Sequence, residues 1–211
     1  MAVAVSSLIL KAAKLLQDER RTRWTDQELL IWLNLGQNRV VSLKPTANTT
    51  VAASQLAAGT LQTLPSGGIS LLDVPRNMGD DGLTPGRVIT QLDLIRLGAL
   101  DPNWHTATAD DEVLYWIYDP RTPKKFWVYP PVTAASDVYV DMVYAALPTA
   151  CTIGGDISLA DEYEGSLLDY MLYRAFSKDL DAPNSLAKAQ SYLTLFMQGL
   201  DLQPAAAPQE G

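Results

Sequence analysis

Residues 113–129 read VLYWIYDPRTPKKFWVY and decide how the middle of the chain folds. Two runs of β-branched and aromatic residues, Val113–Tyr118 and Phe126–Tyr129, have the composition of short strands. Between them, Asp119–Lys125 contains two prolines with flanking charges, which is typical of a hairpin connection. The stretch therefore predicts two neighbouring strands joined by a short loop.

Strand signals continue on both sides of this hairpin. Val138–Tyr144 alternates so that residues 138, 140, 142 and 144 share one face, which we expect to be the more deeply buried face. Leu61–Leu64 and Ile69–Val74 carry weaker strand patterns, and Leu92–Leu100 predicts a short helix. From about residue 54 to residue 148 the sequence thus predicts a β-meander or a small sandwich.

Helical periodicity precedes the β region. The apolar residues from Val5 to Leu16 recur at three- and four-residue steps, which predicts an amphipathic helix. Thr25 and Glu28 have the spacing of a capping box, in which each side chain satisfies the other's backbone N–H. We expect a second helix to begin there and to end before Pro45, because proline disfavours helical geometry in the residue before it.

Two more helices follow the β region. Ser158 and Asp161 have the spacing of a second helix cap. The predicted buried stripe of that helix is Leu167, Leu168, Met171, Leu172, Ala175 and Phe176. The last helix is expected to have Pro183 in its first turn. Its predicted stripe is Leu186, Ala189, Leu193, Phe196, Met197 and Leu200.

The order of these elements predicts an α+β fold. Apolar stripes on four helices must be covered, so the N- and C-terminal helix pairs should form one α-helical bundle with an inserted antiparallel β domain. The predicted domains are residues 1–50 with 150–202 for the bundle and 51–149 for the β-rich insert. Residues 203–211 hold two prolines, three alanines and no core pattern, and are expected to form a flexible C-terminal tail.

Composition and charge restrict the classes of function. Hydrophobic residues make up 47% of the 211 residues, enough for a core. The formal net charge is −8, with seven basic and four acidic groups in residues 1–45 and nine basic and twenty acidic groups in the remainder. A body with a net charge of −11 disfavours tight DNA binding, because affinity for phosphates comes mainly from Lys and Arg. Such a surface would let a polyanion slide past.

No membrane span or secretory leader is predicted. The apolar run from Val3 to Leu10 is far shorter than the roughly 20 residues that cross a bilayer, and it lacks a basic leader and a cleavage site. These features predict a cytoplasmic origin. Because Cys151 is the single cysteine, the chain cannot form an intrachain disulfide, and redox or zinc chemistry is not expected.

The titratable residues do not form a catalytic pattern. His105 is the single histidine, and no nucleophile or zinc-protease motif lies near it, so we predict a structural role. Two acidic clusters are simpler to explain as a solvated strand edge and as favourable charge at a helix N-terminus. Their residues are Asp110, Asp111 and Glu112, and Asp161, Glu162 and Glu164. We therefore predict no catalytic, cofactor-binding or metal site and no enzymatic activity.

Glycine-rich and aromatic segments also receive structural interpretations. Residues 65–68 and 78–82 lack the Gly-Lys-Ser/Thr ending of a phosphate loop, so we expect turns. The aromatic residues of the predicted strands are expected to form core on one face and an interface on the other. They are Trp104, Trp116, Trp127, Tyr115, Tyr118 and Tyr129. Rigid faces without catalytic groups favour a subunit of an assembly.

A succession of short motifs resembles the head-to-tail adaptor family of tailed bacteriophages, whose members are also called head-completion or tail tubular protein A-like proteins. The motifs are AGTLQTLP at 58–65, LLDVPRNM at 71–78, YDP at 118–120, FWVYPP at 126–131 and VYAALP at 143–148. The order of helix pair, β insert and helix pair agrees with this family.

The resemblance implies a structural virion protein of the neck, between capsid and tail. It implies a ring of copies, commonly a dodecamer, bound beneath the portal protein, with a tail or nozzle protein docked below. Double-stranded DNA would pass through the lumen during ejection without specific binding. In this family the C-terminal segment often reaches the portal, and residues 203–211 are the equivalent here, although they are too short for a long helix.

Two alternatives from other functional classes stay open at the level of sequence. A tail-associated peptidoglycan hydrolase would use Glu162 and Glu164 as its carboxylates. A carbohydrate-binding tail module would use Trp104 or Trp127 as a sugar platform.

Overall fold

The computed structural model describes residues 2–179 and 183–201. These residues divide into two compact units, one formed by the chain up to Ala47 and from Pro148 onward, and one formed by Asn48–Leu147. The predicted flexible tail at 203–211 lies outside the described residues. None of the helices in the described part of the chain combines the length and the apolar composition that a membrane-spanning segment requires.

The first unit is a bundle of four helices. In chain order they are α1 (Val5–Leu15), α2 (Asp26–Leu43), α4 (Glu164–Lys178) and α5 (Ser185–Gly199). Helix α4 packs against the other three, which confirms that the N- and C-terminal helix pairs share one core. The largest fully buried side chains of this unit are Leu8, Ile9, Leu29, Leu33, Leu167, Met171, Leu172, Phe196 and Leu200.

The turn between α1 and α2 is organised by a carboxylate. Asp18 accepts hydrogen bonds from the backbone N–H groups of Trp24 (2.8 Å), Arg23 (2.8 Å) and Thr22 (3.0 Å). The bond from Trp24, followed by those from Arg23 and Thr22, lowers the pKa of the Asp18 carboxyl below its usual value. Asp18 therefore closes this turn in its ionised form.

Helix α2 begins with half of the predicted capping box. Thr25 Oγ1 accepts a hydrogen bond from Glu28 N at 3.3 Å. The other bond of a capping box would run from the Thr25 N–H to the Glu28 carboxylate. Here the Glu28 carboxylate instead forms an ion pair with Lys178 Nζ of α4. The helix ends at Leu43, before Pro45, as predicted.

Three details of the C-terminal helices differ from the sequence prediction. Ser158 does not cap α4, because its hydroxyl donates to Thr149 O at 2.6 Å and the helix begins only at Glu164, after a turn of 3₁₀ helix. Helix α5 begins at Ser185, so Pro183 precedes its first turn. Leu186 and Leu193 were expected in the buried stripe but are 61% and 37% exposed, because only Ala189, Phe196 and Leu200 of this stripe turn into the core.

The second unit contains two four-stranded sheets. Its strands are β1 (Thr49–Gln55), β2 (Gly59–Thr63), β3 (Gly68–Met78), β4 (Pro85–Val88), β5 (Thr90–Gln91), β6 (Tyr115–Tyr118), β7 (Lys125–Val132) and β8 (Tyr139–Ala146). The strand orders are β1-β8-β3-β4 and β2-β7-β6-β5. All pairs are antiparallel except the short parallel pair of β5 with β6.

The predicted hairpin at residues 113–129 is confirmed. Tyr118 pairs with Phe126 across it, and Asp119 organises the loop. The Asp119 carboxylate accepts from the backbone N–H of Arg121 at 2.9 Å and from its guanidinium at 2.8 Å. These bonds, with the guanidinium as the largest influence, hold the pKa of the Asp119 carboxyl below its usual value.

Side chains from both sheets build the main core of this unit, so the predicted sandwich is present. Val138, Val140, Met142 and Tyr144 all point into this core, which confirms the predicted face of β8. The opposite face of β6 and β7 has its own smaller core, covered by the short helix α3 (Leu94–Leu100) and the 3₁₀ turn at residues 104–106. Asp93 caps α3 by accepting from the N–H groups of the helix start.

Candidate functional site

A buried amide in the helical unit binds the chain segment that returns from the β unit. Gln37 on α2 is 1% exposed. Its Oε1 accepts from Ser158 N at 2.7 Å, and its Nε2 lies 3.1 Å from Cys151 Sγ. The neighbouring Asn34 accepts from Cys151 N at 2.7 Å. The cysteine is therefore buried in a structural polar network that joins this segment to α2.

A second buried amide connects the two sheets. Asn77 on β3 donates from Nδ2 to Val113 O at 2.7 Å and to Arg87 O at 3.1 Å. Its Oδ1 accepts from Val113 N at 2.9 Å. The side chain thus takes the place of a backbone partner for Val113, which has no neighbouring strand in register at that point.

His105 is held in a structural position. Its Nδ1 lies 3.0 Å from Thr60 Oγ1, and its ring stacks on the buried Trp104 ring at a centroid distance of 3.5 Å. These contacts orient the imidazole by packing and by one hydroxyl. Among the described residues, neither of these two contacts of the ring is a carboxylate.

The acidic cluster at residues 110–112 is used locally. Asp110 Oδ1 accepts from Asp111 N at 2.8 Å, so this carboxylate closes a turn. Glu112 lies 3.7 Å from the guanidinium of Arg87 in an exposed ion pair. The two groups have separate structural roles instead of facing a common reacting atom.

The acidic cluster at residues 161–164 lies where the 3₁₀ turn leads into α4. Glu164 forms an ion pair with Lys11 of α1, while Glu162 is exposed. Negative charge at this end of α4 is favoured by the helix dipole. Within the described ranges, no group of three or more His, Cys, Asp or Glu residues is arranged to hold a metal ion.

The two tryptophans of the carbohydrate hypothesis are engaged in packing. Trp104 is 4% exposed, so its ring cannot offer a free face to a sugar. Trp127 is half-buried and packs against the small core with Leu97 and Ile117. The aromatic residues of β6 and β7 therefore contribute to cores on both faces of their sheet, since Trp116 and Phe126 belong to the main core.

An open groove of about 410 Å³ lies beside this second core. Tyr115 and Tyr129 form part of its lining, with ring centroids 6.4 Å apart, and Arg96 and Asp101 add charges. Its residues come from β5, β6, β7 and α3. Its lining mixes the apolar side chains of Leu92, Leu97 and Leu100 with polar and charged ones.

Large apolar side chains are exposed on both units. In the β unit they include Leu83 (79%), Val88 (70%), Ile95 (82%), Leu100 (72%) and Val51 (62%). In the helical unit, Leu15, Ile31, Leu186 and Leu195 are between 47% and 61% exposed.

The fold and these surfaces agree with what the comparison with protein families shows. The family model described as SU10 adaptor protein matches residues 3–210. The chain belongs to the SU10 adaptor protein family. No curated protein matches the chain.

Membership of the SU10 adaptor family makes this chain a phage adaptor, and the family is structural and non-enzymatic. The resemblance inferred from the sequence motifs is therefore confirmed. An adaptor works through the surfaces that it presents to other proteins. Its partners belong to the phage virion.

Sequence reasoning missed the features that shape these surfaces. Strand β1 was not predicted, because its sequence TTVAASQ consists mainly of small residues. The roles of Gln37 and Asn77 depend on contacts far apart in sequence. Gln37 stands next to Asn38, and Asn77 stands next to Arg76, so no local pattern marked either of them.

Proposed function

We propose that this adaptor forms a ring, a dodecamer in its complete form, beneath the portal protein in the neck of the virion. The match over residues 3–210 to the SU10 adaptor family carries this proposal. The two-unit fold supports it, because a closed ring needs two different complementary surfaces on every copy. Exposed apolar side chains on both units supply material for such surfaces.

We infer that the ring connects the portal to a tail or nozzle protein and lets double-stranded DNA pass. The formal charge of −11 on residues 46–211 supports this part of the proposal. An acidic lumen repels the phosphate backbone and prevents arrest of the moving DNA. Neither alternative function has comparable support, because Glu164 is paired with Lys11 and Trp104 is buried.

The deciding experiment measures particle mass for the full chain, alone and mixed with the portal protein of the same phage. We expect the mass of the portal complex to increase by that of a whole ring of copies. Electron microscopy of the same complex should then show the ring on the outer side of the portal. The same portal incubated with heat-unfolded chain is the control. A portal whose mass does not change would contradict the proposal.

DNA passage has its own test. We expect the assembled ring to retain no double-stranded DNA in a filter-binding assay at physiological salt, and to show little change when the salt is lowered. Retention that weakens steeply with salt would indicate phosphate binding by a basic surface, which contradicts a lumen built for free passage.

A further inference from the structure

Among the described residues, strand β1 is an edge strand of the sheet β1-β8-β3-β4. Its seven residues, TTVAASQ, contain neither a charge nor a proline, and alternate side chains along it are exposed. Edge strands of proteins that stay monomeric are usually protected by lysines, prolines or bulges. The pairing of β1 with β8 is regular over its whole length, so β1 also lacks a bulge. This edge is therefore suited to accept another strand.

The hydrogen-bond pattern shows which backbone groups of β1 face outward. Leu56 N donates to Val138 O at 2.8 Å. Because successive residues of a strand alternate in the direction of their backbone groups, the N–H and C=O of Ala53 point away from β8. Ala53 is exposed, and no bond to its backbone on that side is made within the described residues.

Strand β4 forms the opposite edge of the same sheet and offers a matching pair of groups. Ile89 N donates to Pro75 O at 3.0 Å, so the backbone of Ile89 faces β3. The neighbouring residues Val88 and Arg76 are paired with each other across the two strands. In an antiparallel ladder, this bond places the N–H and C=O of Val88 on the outer side of β4. Val88 is 70% exposed.

Ala53 and Val88 lie at the two ends of one row across the sheet. Ala53 is paired with Asp141, Asp141 with Arg76, and Arg76 with Val88. An ion pair of 3.1 Å between Arg76 and Asp141 holds the middle of this row. Since each neighbouring pair is antiparallel, β1 and β4 run in opposite directions, as two strands of a new antiparallel pair must.

We propose that copies of this adaptor join edge to edge, with β4 of one copy added to β1 of the next. In this pair, Ala53 and Val88 of the next copy exchange both backbone hydrogen bonds. The arrangement rests on the proposed ring. In a closed ring, neighbouring copies are related by rotation alone, so equivalent residues of all copies lie at the same height along the ring axis, and the row of one sheet can continue into the row of the next. Strand addition of this kind is a recurring mode of protein recognition.

Side chains on the two edges favour this occupant. Val88 and Val51 are exposed on the same face of the sheet, and in this register they become diagonal neighbours across the new pair. The strand β1 carries no charged side chain. Arg87 of β4 lies on the opposite face from Val88 and pairs with Glu112 at 3.7 Å. The new pair therefore brings no like charges together.

Engineered cysteines test the register directly. Two residues that exchange both hydrogen bonds in an antiparallel pair have Cα atoms about 5.5 Å apart, within reach of a disulfide. The full chain with Ala53→Cys and Val88→Cys is oxidised mildly in the presence of the portal protein and run on a denaturing gel. We expect a ladder of covalent multimers. Each single variant is the control and should give no species larger than a dimer.

Proline variants give an independent readout. Ala53→Pro removes the outward N–H of β1 without breaking a bond to β8. Thr63→Pro is the matched control, because Leu64 N donates to Lys124 O and so Thr63 also directs its N–H outward, on the edge strand of the other sheet. We expect both variants to melt at similar temperatures. Only Ala53→Pro should reduce the amount of chain assembled on the portal, by more than tenfold.

The outcomes separate this contact from the ring itself. A ring in the mass measurement together with no ladder would overturn the contact between β1 and β4 and leave the proposed function standing. A covalent dimer from Ala53→Cys alone, at the rate of the double variant, would also overturn it, because β1 would then pair with itself. A ladder without a ring on the portal would support the contact and contradict the proposed function.

Discussion

Replacing Asn77 by alanine tests the connection between the two sheets. The substitution removes three hydrogen bonds, of which two satisfy the backbone N–H and C=O of Val113 at 2.9 and 2.7 Å. Val113 is 1% exposed, so both groups would stay buried without a partner. An orphaned buried group costs about 1–3 kcal/mol, and the two together give an expected loss of about 2–6 kcal/mol.

Two measurements check this loss. Urea unfolding should show a midpoint lower by about 1 M or more, since the slope for small proteins is about 1–3 kcal/mol per molar. Hydrogen exchange should accelerate at the Val113 amide, which reports on the β unit by itself. Asn103→Ala is the control, because Asn103 is exposed and such substitutions usually change stability by less than about 0.5 kcal/mol. If Asn77→Ala is equally mild, the hydrogen bonds to Val113 do not stabilise the sandwich.

Three further predictions concern the helical unit. Gly36→Leu on α2 should destabilise the protein by about 1–3 kcal/mol, because even a Cβ would lie 3.0 Å from the ring of Tyr170; an unchanged melting temperature would show that the helices can separate freely. Asp18 has a lowered pKa, chiefly through the N–H of Trp24, so its contribution is present above the unfolded value of 3.8 and is lost as the pH falls through the folded pKa. Asp18→Asn should therefore flatten the acid-side decline in unfolding free energy, and equal declines in both proteins would refute this role. Lys11→Met should change the unfolding free energy by less than about 1 kcal/mol, because this ion pair with the start of α4 is exposed; a larger loss, insensitive to salt, would contradict that expectation.

Local patterns predicted the elements that depend on neighbours in sequence. The hairpin at residues 118–126 formed as expected, because its prolines and the Asp119 carboxylate act within the loop itself. Thr25 caps α2 for the same reason, since donor and acceptor are three residues apart. Ser158 had the same spacing, yet its hydroxyl binds Thr149. A cap signal thus fails when a different acceptor lies within reach.

The sequence predicted the class of the protein, a phage adaptor, but not the positions of its exposed sheet edges. The order of helices and strands, together with the motif succession, was enough to indicate a phage adaptor, and the family comparison confirmed it. The positions of the exposed edges were not predictable, because β1 has small residues in place of a strong strand pattern. Leu186 shows the converse, because periodicity indicated burial and the structure leaves the side chain exposed.

By itself, the sequence determined the fold class, the helices, five of the strands, the acidic character and the adaptor class. These properties follow from short-range periodicity, capping, turn chemistry and composition, which act over a few residues. Only the tertiary structure decided that Ala53 and Val88 lie in one row, that Asn77 substitutes for a strand, and that Trp104 is buried. These facts arise from packing between segments distant in sequence, where geometry in three dimensions selects among many partners of similar chemistry.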